Sequence, residues 1–203
     1  MIRSRAPDMT KDKTLKIRGR EAISLELQPY VLGEIGTNHN RDIECAKSMV
    51  EEIARAGVHC AKFQIYEPDE IVSASIRASD YGLDGQYGDI SAQEMFEQYL
   101  KTPKNWFPEL RALCHQFGIA CATTIHGEIG LAWANDTDVD IIKIASMDHN
   151  NFPFLEAVVN NVKVPILASF GMAGLEDIDR AVDILSRHRH GFGIFHCVAI
   201  YPP

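Results

Sequence analysis

Val164-Pro165-Ile166-Leu167-Ala168-Ser169-Phe170-Gly171-Met172-Ala173 is an apolar run opened by a proline and closed by a serine and a glycine. A run this short, rich in branched residues and bounded by turn formers, reads as a strand buried on both faces, the pattern of a parallel sheet. Ser169 then stands at the C-terminal end of that strand. Four other apolar runs end the same way: at Glu34, with Asn38 and His39 just beyond; at Lys62 and Gln64; at Thr123 and Thr124; and at Lys143 and Ser146. One polar strand end is an ordinary loop start. Five in succession predict a single functional edge.

Working outward, the segments between these runs have helical periodicity. Ile43, Ala46, Met49, Val50, Ile53 and Ala54 share one helix face, and Gly57 closes that helix. The strands are predicted at 30–36, 58–65, 119–125, 139–145, 164–169 and 192–199. Helices are predicted at 91–99, 103–117, 128–134, 152–160 and 175–188, with Thr102 capping the second and Pro103 at its first position. Residues 68–88 read as a long polar connection, the length at which loops become functional or mobile. Leu15, Ile17, Ile23, Leu25 and Leu27 flank Arg18-Gly19-Arg20, the pattern of a small β-hairpin, and residues 1–12 read as a flexible lead-in.

Alternating strands and helices mean βαβ units around a parallel sheet. No GxGxxG follows the first strand, which weakens an open dinucleotide-binding sheet. Polar residues at nearly every strand's C-terminal end suit a TIM (β/α)8-type barrel, whose active site is built there. The expected class is therefore an α/β barrel, apparently truncated after about six β/α units, with an N-terminal β-hairpin. Residues 1–29 form the lead-in and hairpin, and residues 30–203 an incomplete barrel domain.

Composition narrows the function. The 203 residues, 46% of them hydrophobic, suffice for one sizeable core, and a formal net charge of −8 argues against nucleic acid as partner. The five cysteines are odd in number and lack CxxC or framework spacing; Cys60, Cys121 and Cys197 sit in apolar surroundings and read as reduced core thiols. No run approaches the about 18 apolar residues of a membrane span, and residues 1–16 are charged where a signal peptide is apolar. A cytoplasmic protein is expected, with no membrane partner.

Glu34-Ile35-Gly36-Thr37-Asn38-His39-Asn40, Ala61-Lys62-Phe63-Gln64, Lys143-Ile144-Ala145-Ser146, Ser169-Phe170-Gly171-Met172 and His196-Cys197 with Tyr201-Pro202 resemble, in order, the strand ends of the sialic acid (N-acetylneuraminate) synthase family, in its N-terminal phosphoenolpyruvate-condensing barrel. The resemblance implies condensation of phosphoenolpyruvate with an N-acetylated aminosugar such as N-acetylmannosamine: C3 of the enol attacks the sugar aldehyde, a divalent metal (Mn or Mg) polarises that oxygen, and water attacks C2 with loss of phosphate. The residue types suit this chemistry, because a phosphate and a carboxylate need fixed cations and a ring of donors. By the same resemblance Lys62 and Lys143 supply the charge, Thr124, Ser146 and Ser169 donate to the phosphoenolpyruvate, and Glu34 is the acid/base carboxylate near the aldehyde. Gln64 contacts the sugar and Tyr201 lines the site. Asn38 and His39 are equally read as substrate contacts or as a cap on the following helix.

The sequence also departs from the family pattern. Ile125 replaces a proline, Phe170 a threonine, and Ala199 a polar residue at the phosphate site. The two metal-binding histidines belong to a seventh and an eighth strand outside the six units, so no metal ligand is expected in this chain; His126, His149, His188, His190 and His196 lack ligand spacing. The small C-terminal domain that closes over the neighbouring subunit in bacterial relatives also lies outside it, and a homodimer is implied for the complete protein. Two alternatives stay open: a related phosphoenolpyruvate-dependent aldol synthase acting on a phosphorylated sugar, for which few arginines stand at the mouth, and a catalytically incompetent barrel fragment serving as a binding module.

Overall fold

A computed structural model describes residues 14–200 of the chain. The lead-in expected over residues 1–12 and the candidate substrate residue Tyr201 lie outside the described residues. Strands β1 (Leu15–Ile17) and β2 (Arg20–Ile23) form the antiparallel hairpin. A parallel sheet follows, its strands β3 (Leu32–Gly36), β4 (Cys60–Ile65), β5 (Ala120–Ile125), β6 (Ile141–Ile144), β7 (Ile166–Phe170) and β8 (Phe192–His196) lying side by side in chain order. That order, with helices between the strands, is six consecutive units of a βα barrel, a curled half-barrel whose free edges are β3 and β8.

Side chains alternate faces along a strand, and two separate cores show which face is which. Ile35, Ala61, Phe63, Ile65, Cys121, Ile142 and Ile166 point outward into the main core, against α1 (Ile43–Arg55), α2 (Phe107–Gln116), α3 (Gly127–Thr137), α4 (Phe152–Asn161) and α5 (Leu175–Leu185). Cys60, Ala120, Ala122, Ile141 and Leu167 point inward, where Leu15 and Ile17 of the hairpin pack onto them. The hairpin thus plugs the N-terminal end of the half-barrel. Gly191 allows this approach: a Cβ placed there would come within 2.6 Å of Leu15 Cδ1.

Local chemistry corrects several boundaries. The 68–88 connection is built from short helical turns at Pro68–Ile71, Ala78–Tyr81 and Asp84–Tyr87, and Arg77 fastens it by donating to Asp89 Oδ1 and to the Asp89 carbonyl, both at 2.7 Å. The 91–99 helix is a single turn, Ala92–Met95, running into a π turn, Phe96–Leu100. The helix expected from Pro103 begins at Phe107, after a 3-10 turn at Lys104–Trp106, because Thr102 turns its hydroxyl inward to His39 and does not cap. Of the three expected core thiols, Cys60 and Cys121 are buried while Cys197 is only half-buried.

Helix α3 starts without a capping side chain of its own. Glu70, far away in the sequence, takes that role: its carboxylate accepts from Ile129 N at 2.9 Å and Gly130 N at 3.3 Å. Negative charge at a helix N-terminus meets unpaired N–H groups and the positive end of the dipole. Glu70→Ala is expected to cost about 1 kcal/mol, read as a lower denaturation midpoint with an unchanged slope.

Candidate active site

The polar cluster follows from the same alternation. Two and four residues beyond inward Cys60 stand Lys62 and Gln64; two beyond Ala122 stands Thr124; two beyond Ile141 stands Lys143; two beyond Leu167 stands Ser169. The register sets Glu34 opposite Lys62, Gln64 opposite Thr124, and Thr124 opposite Lys143. Small and apolar side chains fill the plugged end of the interior, and charged or hydroxylic ones fill the C-terminal end. Thr123 falls on the outer face, its hydroxyl donating to the Thr124 carbonyl at 3.1 Å, and so takes no part.

Lys62 is the centre of the cluster. It is buried, its ammonium lies 2.5 Å from Glu34 Oε2, and it donates to Thr124 Oγ1 at 2.9 Å. Burial pulls its pKa below the ordinary lysine value, against the opposing pull of Glu34. Lys143 forms no ion pair among the described residues. Its pKa is lowered too, first by burial and then by the charge of Lys62 nearby. Two desolvated cations that repel one another, only one of them paired, make a site short of negative charge.

Ser169 adds a second unmet demand. It is 2% exposed and its hydroxyl has no hydrogen-bond partner among the described residues, a costly state for a buried polar group unless something else completes it. Ser146 is differently placed: its Oγ accepts from Gly171 N at 2.8 Å and donates to the Gly171 carbonyl at 3.3 Å, tying the loop after β6 to the loop after β7. Only glycine permits this, since a Cβ on residue 171 would come 2.8 Å from that oxygen. Gly36 plays the same part for the other end of the site. At φ +56, after an irregularity in the β3 register, it leaves the space in which a Cβ would sit 3.1 Å from Glu34 Oε1 and 3.5 Å from Gln64 Nε2.

His39 and Asn38 are placed otherwise. His39 is fully buried; its Nδ1 accepts from Arg41 N at 3.0 Å, so its Nε2 donates to Thr102 Oγ1 at 2.8 Å, and its ring meets Trp106 edge-on. With both nitrogens engaged in the wall behind β3, it is a packing residue in this structure. Asn38 is exposed and donates to the Ile35 carbonyl. Neither caps α1, whose cap is Asp42, accepting from Glu44 N at 2.8 Å and Cys45 N at 3.3 Å. Sequence reading also missed the pair of His126 Nδ1 and Asp148 Oδ2, 2.8 Å apart at the same end of the sheet. The signal was available, since His126 directly follows β5 and Asp148 lies two residues beyond Ser146.

The divalent cation implied by the resemblance does not fit the described residues. The carboxylate of the cluster is spent on Lys62, Lys143 adds a second ammonium to the same cluster, and no group of three or more His, Cys, Asp or Glu gathers among the described residues.

Fold and cluster together define a parallel βα half-barrel with a cationic cradle at the C-terminal ends of its strands. The NeuB family profile matches residues 49–203, and the chain belongs to that family. It is 30% identical over 174 residues to the N-acetylneuraminate-9-phosphate synthase of Drosophila melanogaster, covering 85% of this chain and 46% of the relative. It is 28% identical over 175 residues to the N,N'-diacetyllegionaminic acid synthase of Campylobacter jejuni, covering 85% and 52%. Among solved structures, an N-acetylneuraminic acid (sialic acid) synthetase from Leptospira borgpetersenii in complex with citrate superposes with a TM-score of 0.70 at 26% identity, over 86% of this chain and 55% of that one. The chain spans about half the length of the curated relatives it matches.

Proposed function

We propose that this chain provides the phosphoenolpyruvate-binding half of a nonulosonate synthase, which joins phosphoenolpyruvate to an N-acetylated aminosugar aldehyde and releases phosphate. The observation that carries the reading is the pair of buried Lys62 and half-buried Lys143, on β4 and β6 either side of β5, with the Ser169 hydroxyl, unpartnered among the described residues, in the same inward set. An anion bearing both a phosphate and a carboxylate supplies the charge this cluster lacks and the acceptor that Ser169 lacks. Relatives named as sialic and legionaminic acid synthases support the reading.

In this proposal Lys62 and Lys143 hold the two anionic ends of phosphoenolpyruvate, with Thr124 and Ser169 donating to its oxygens. Ser146 keeps the β7 loop in place. Glu34 on the edge strand β3 and Gln64 on its neighbour β4 stand toward the sugar. As C3 of the enol attacks the aldehyde carbon, the new alkoxide takes a proton; Glu34, half-exposed and ion-paired with Lys62, is the acid/base carboxylate that accepts a proton from the water adding to C2 and passes it to that alkoxide. Water then adds to C2 and the C–O bond to phosphate breaks. Any divalent cation used by the complete enzyme draws its ligands from segments other than the six described strands. The working form is a homodimer in the cytoplasm, and Tyr201 lines the substrate site.

The test is phosphate release by the complete protein from phosphoenolpyruvate with a panel of N-acetylated and phosphorylated aminosugars. Turnover with an N-acetylated sugar and none with deoxy-octulosonate or deoxy-heptulosonate precursors is the expected result. The reverse preference would assign the chain to the related aldol synthases.

A further inference from the structure

Setting aside Lys143 in the cradle and Arg180, which lies over the Phe152 ring at 4.0 Å, the cations that form no ion pair among the described residues are Lys16, Arg18, Arg20, Lys163 and Arg189. All of them lie at the N-terminal end of the sheet, on the plugging hairpin or on the turns leading into β7 and β8. Four of them, with Arg111 and His190, line one cleft of about 570 Å³. In a chain with a net charge of −8, this is a local reversal of sign.

The acidic groups of the cleft do not neutralise it. Asp138 is taken by Arg111 at 2.8 Å, and Asp140 accepts from Cys121 N and pairs with His115 Nε2, both at 2.8 Å. The cations are also held in place. His188 is buried, with its Nδ1 at 3.2 Å from the Val159 carbonyl and its Nε2 at 2.8 Å from the Val164 carbonyl, so the turn carrying Arg189 and His190 is fastened to the turn carrying Lys163. The hairpin is seated by the contact of Leu15 with Gly191. Arg18 adopts a left-handed backbone, φ 52, rare for a side chain of this size, and reaches across to donate to the Ile119 carbonyl at 3.2 Å.

We infer that this cleft is a second anion site, opposite the catalytic edge, which takes a compact phosphate-bearing molecule such as a pyrophosphate or nucleoside phosphate. Arginine forks with a lysine point charge match phosphate oxygens, and the volume lies in the range of about 300–1,000 Å³ usual for small-ligand pockets. A concave pocket in an acidic protein suits a small ligand better than a nucleic-acid strand, which needs a continuous basic stripe.

The test titrates the full chain with pyrophosphate and with adenosine diphosphate at low ionic strength, for the wild type and for the double variant Lys163→Ala/Arg189→Ala. Both residues are exposed and form no ion pair among the described residues, so the variant is expected to fold. Its affinity for these probes at this site should fall at least about tenfold, while its titration with phosphoenolpyruvate is unchanged. Superimposable pyrophosphate isotherms for wild type and variant would overturn the site. Should the variant fail to fold, amide resonances of the wild type decide. Shifts at Lys16–Arg20 and Arg189–Gly191 on adding pyrophosphate support it, and shifts confined to the strand ends at Lys62, Lys143 and Ser169 overturn it. Tighter binding of a single-stranded oligonucleotide than of pyrophosphate would also overturn it. Because phosphoenolpyruvate is titrated separately, failure here leaves the proposed function standing.

Discussion

Lys143→Ala is expected to weaken phosphoenolpyruvate binding about thirtyfold or more, roughly the 2 kcal/mol that a charge-assisted contact to an anion contributes, without loosening the fold. The two effects separate because the native state holds this lysine under duress. Burial and the neighbouring Lys62 both lower its pKa, so folding disfavours its charged form. Removing the amine relieves that penalty, and the thermal midpoint should stay level or rise while affinity collapses. The pH dependence has a definite sign. Between the depressed native pKa values of Lys62 and Lys143 and the ordinary lysine value of 10.5, the unfolded chain binds more protons than the native one, so stability rises with pH across that window. A bound anion favours the protonated lysines, so affinity falls as pH rises through the depressed values, and binding in alkaline buffer takes up protons. Calorimetric titration in two buffers of different ionisation enthalpy measures that uptake. Unaltered affinity in Lys143→Ala, or binding without proton uptake in the wild type at alkaline pH, would remove the cradle from phosphoenolpyruvate.

The strands were legible because burial on both faces writes itself as short continuous apolar runs, and a polar residue two positions beyond an inward apolar one can only stand at the end of the same column. Once the two cores show which face is inward, that rule selects Lys62, Gln64, Thr124, Lys143 and Ser169 and excludes Thr123, which is off by one; the sequence marked all of them only as polar strand ends, and the family resemblance supplied their roles. What was not legible is what depends on contacts between distant segments. Thr102 looks like a helix cap until His39, 63 residues earlier, claims its hydroxyl. Ser146 reads as a ligand donor, and only the structure shows Gly171, 25 residues later, against its hydroxyl. Glu70 and α3 are joined across 59 residues by hydrogen bonds that no periodicity encodes. The cationic cleft is of the same kind. Arg18-Gly19-Arg20 and the stretch from Arg187 to His190 look like ordinary solvated turns, and only the packing of Leu15 against Gly191 makes them neighbours.

Residues 1–203, produced as a free-standing polypeptide, are expected to self-associate and to release no phosphate from phosphoenolpyruvate and N-acetylmannosamine in the presence of manganese. The reason lies in the edges. On one side of β3 and one side of β8 the backbone N–H and C=O groups meet no strand of the sheet, and such edges recruit another chain. Beside β8 the surface is also strongly apolar: Ile194 is 52% exposed, Val198 57%, Ile200 65%, Leu175 81% and Met172 91%. A patch of this kind next to an unpaired edge binds whatever apolar partner is nearest. Activity fails for a related reason. Lys62 and Lys143 are both in this polypeptide, so phosphoenolpyruvate should still bind, but the interior is closed by strands on one side only, and the aldehyde is held against half a wall. Closing an eight-stranded barrel requires two more strands between β8 and β3. Sedimentation velocity across a concentration series and binding of an apolar dye check the first expectation, and a phosphate-release assay the second. A monodisperse monomer of residues 1–203 that turns over both substrates would mean that the six-stranded sheet is a finished enzyme, and that the sugar and its activating groups sit elsewhere than at the open side of Glu34 and Gln64.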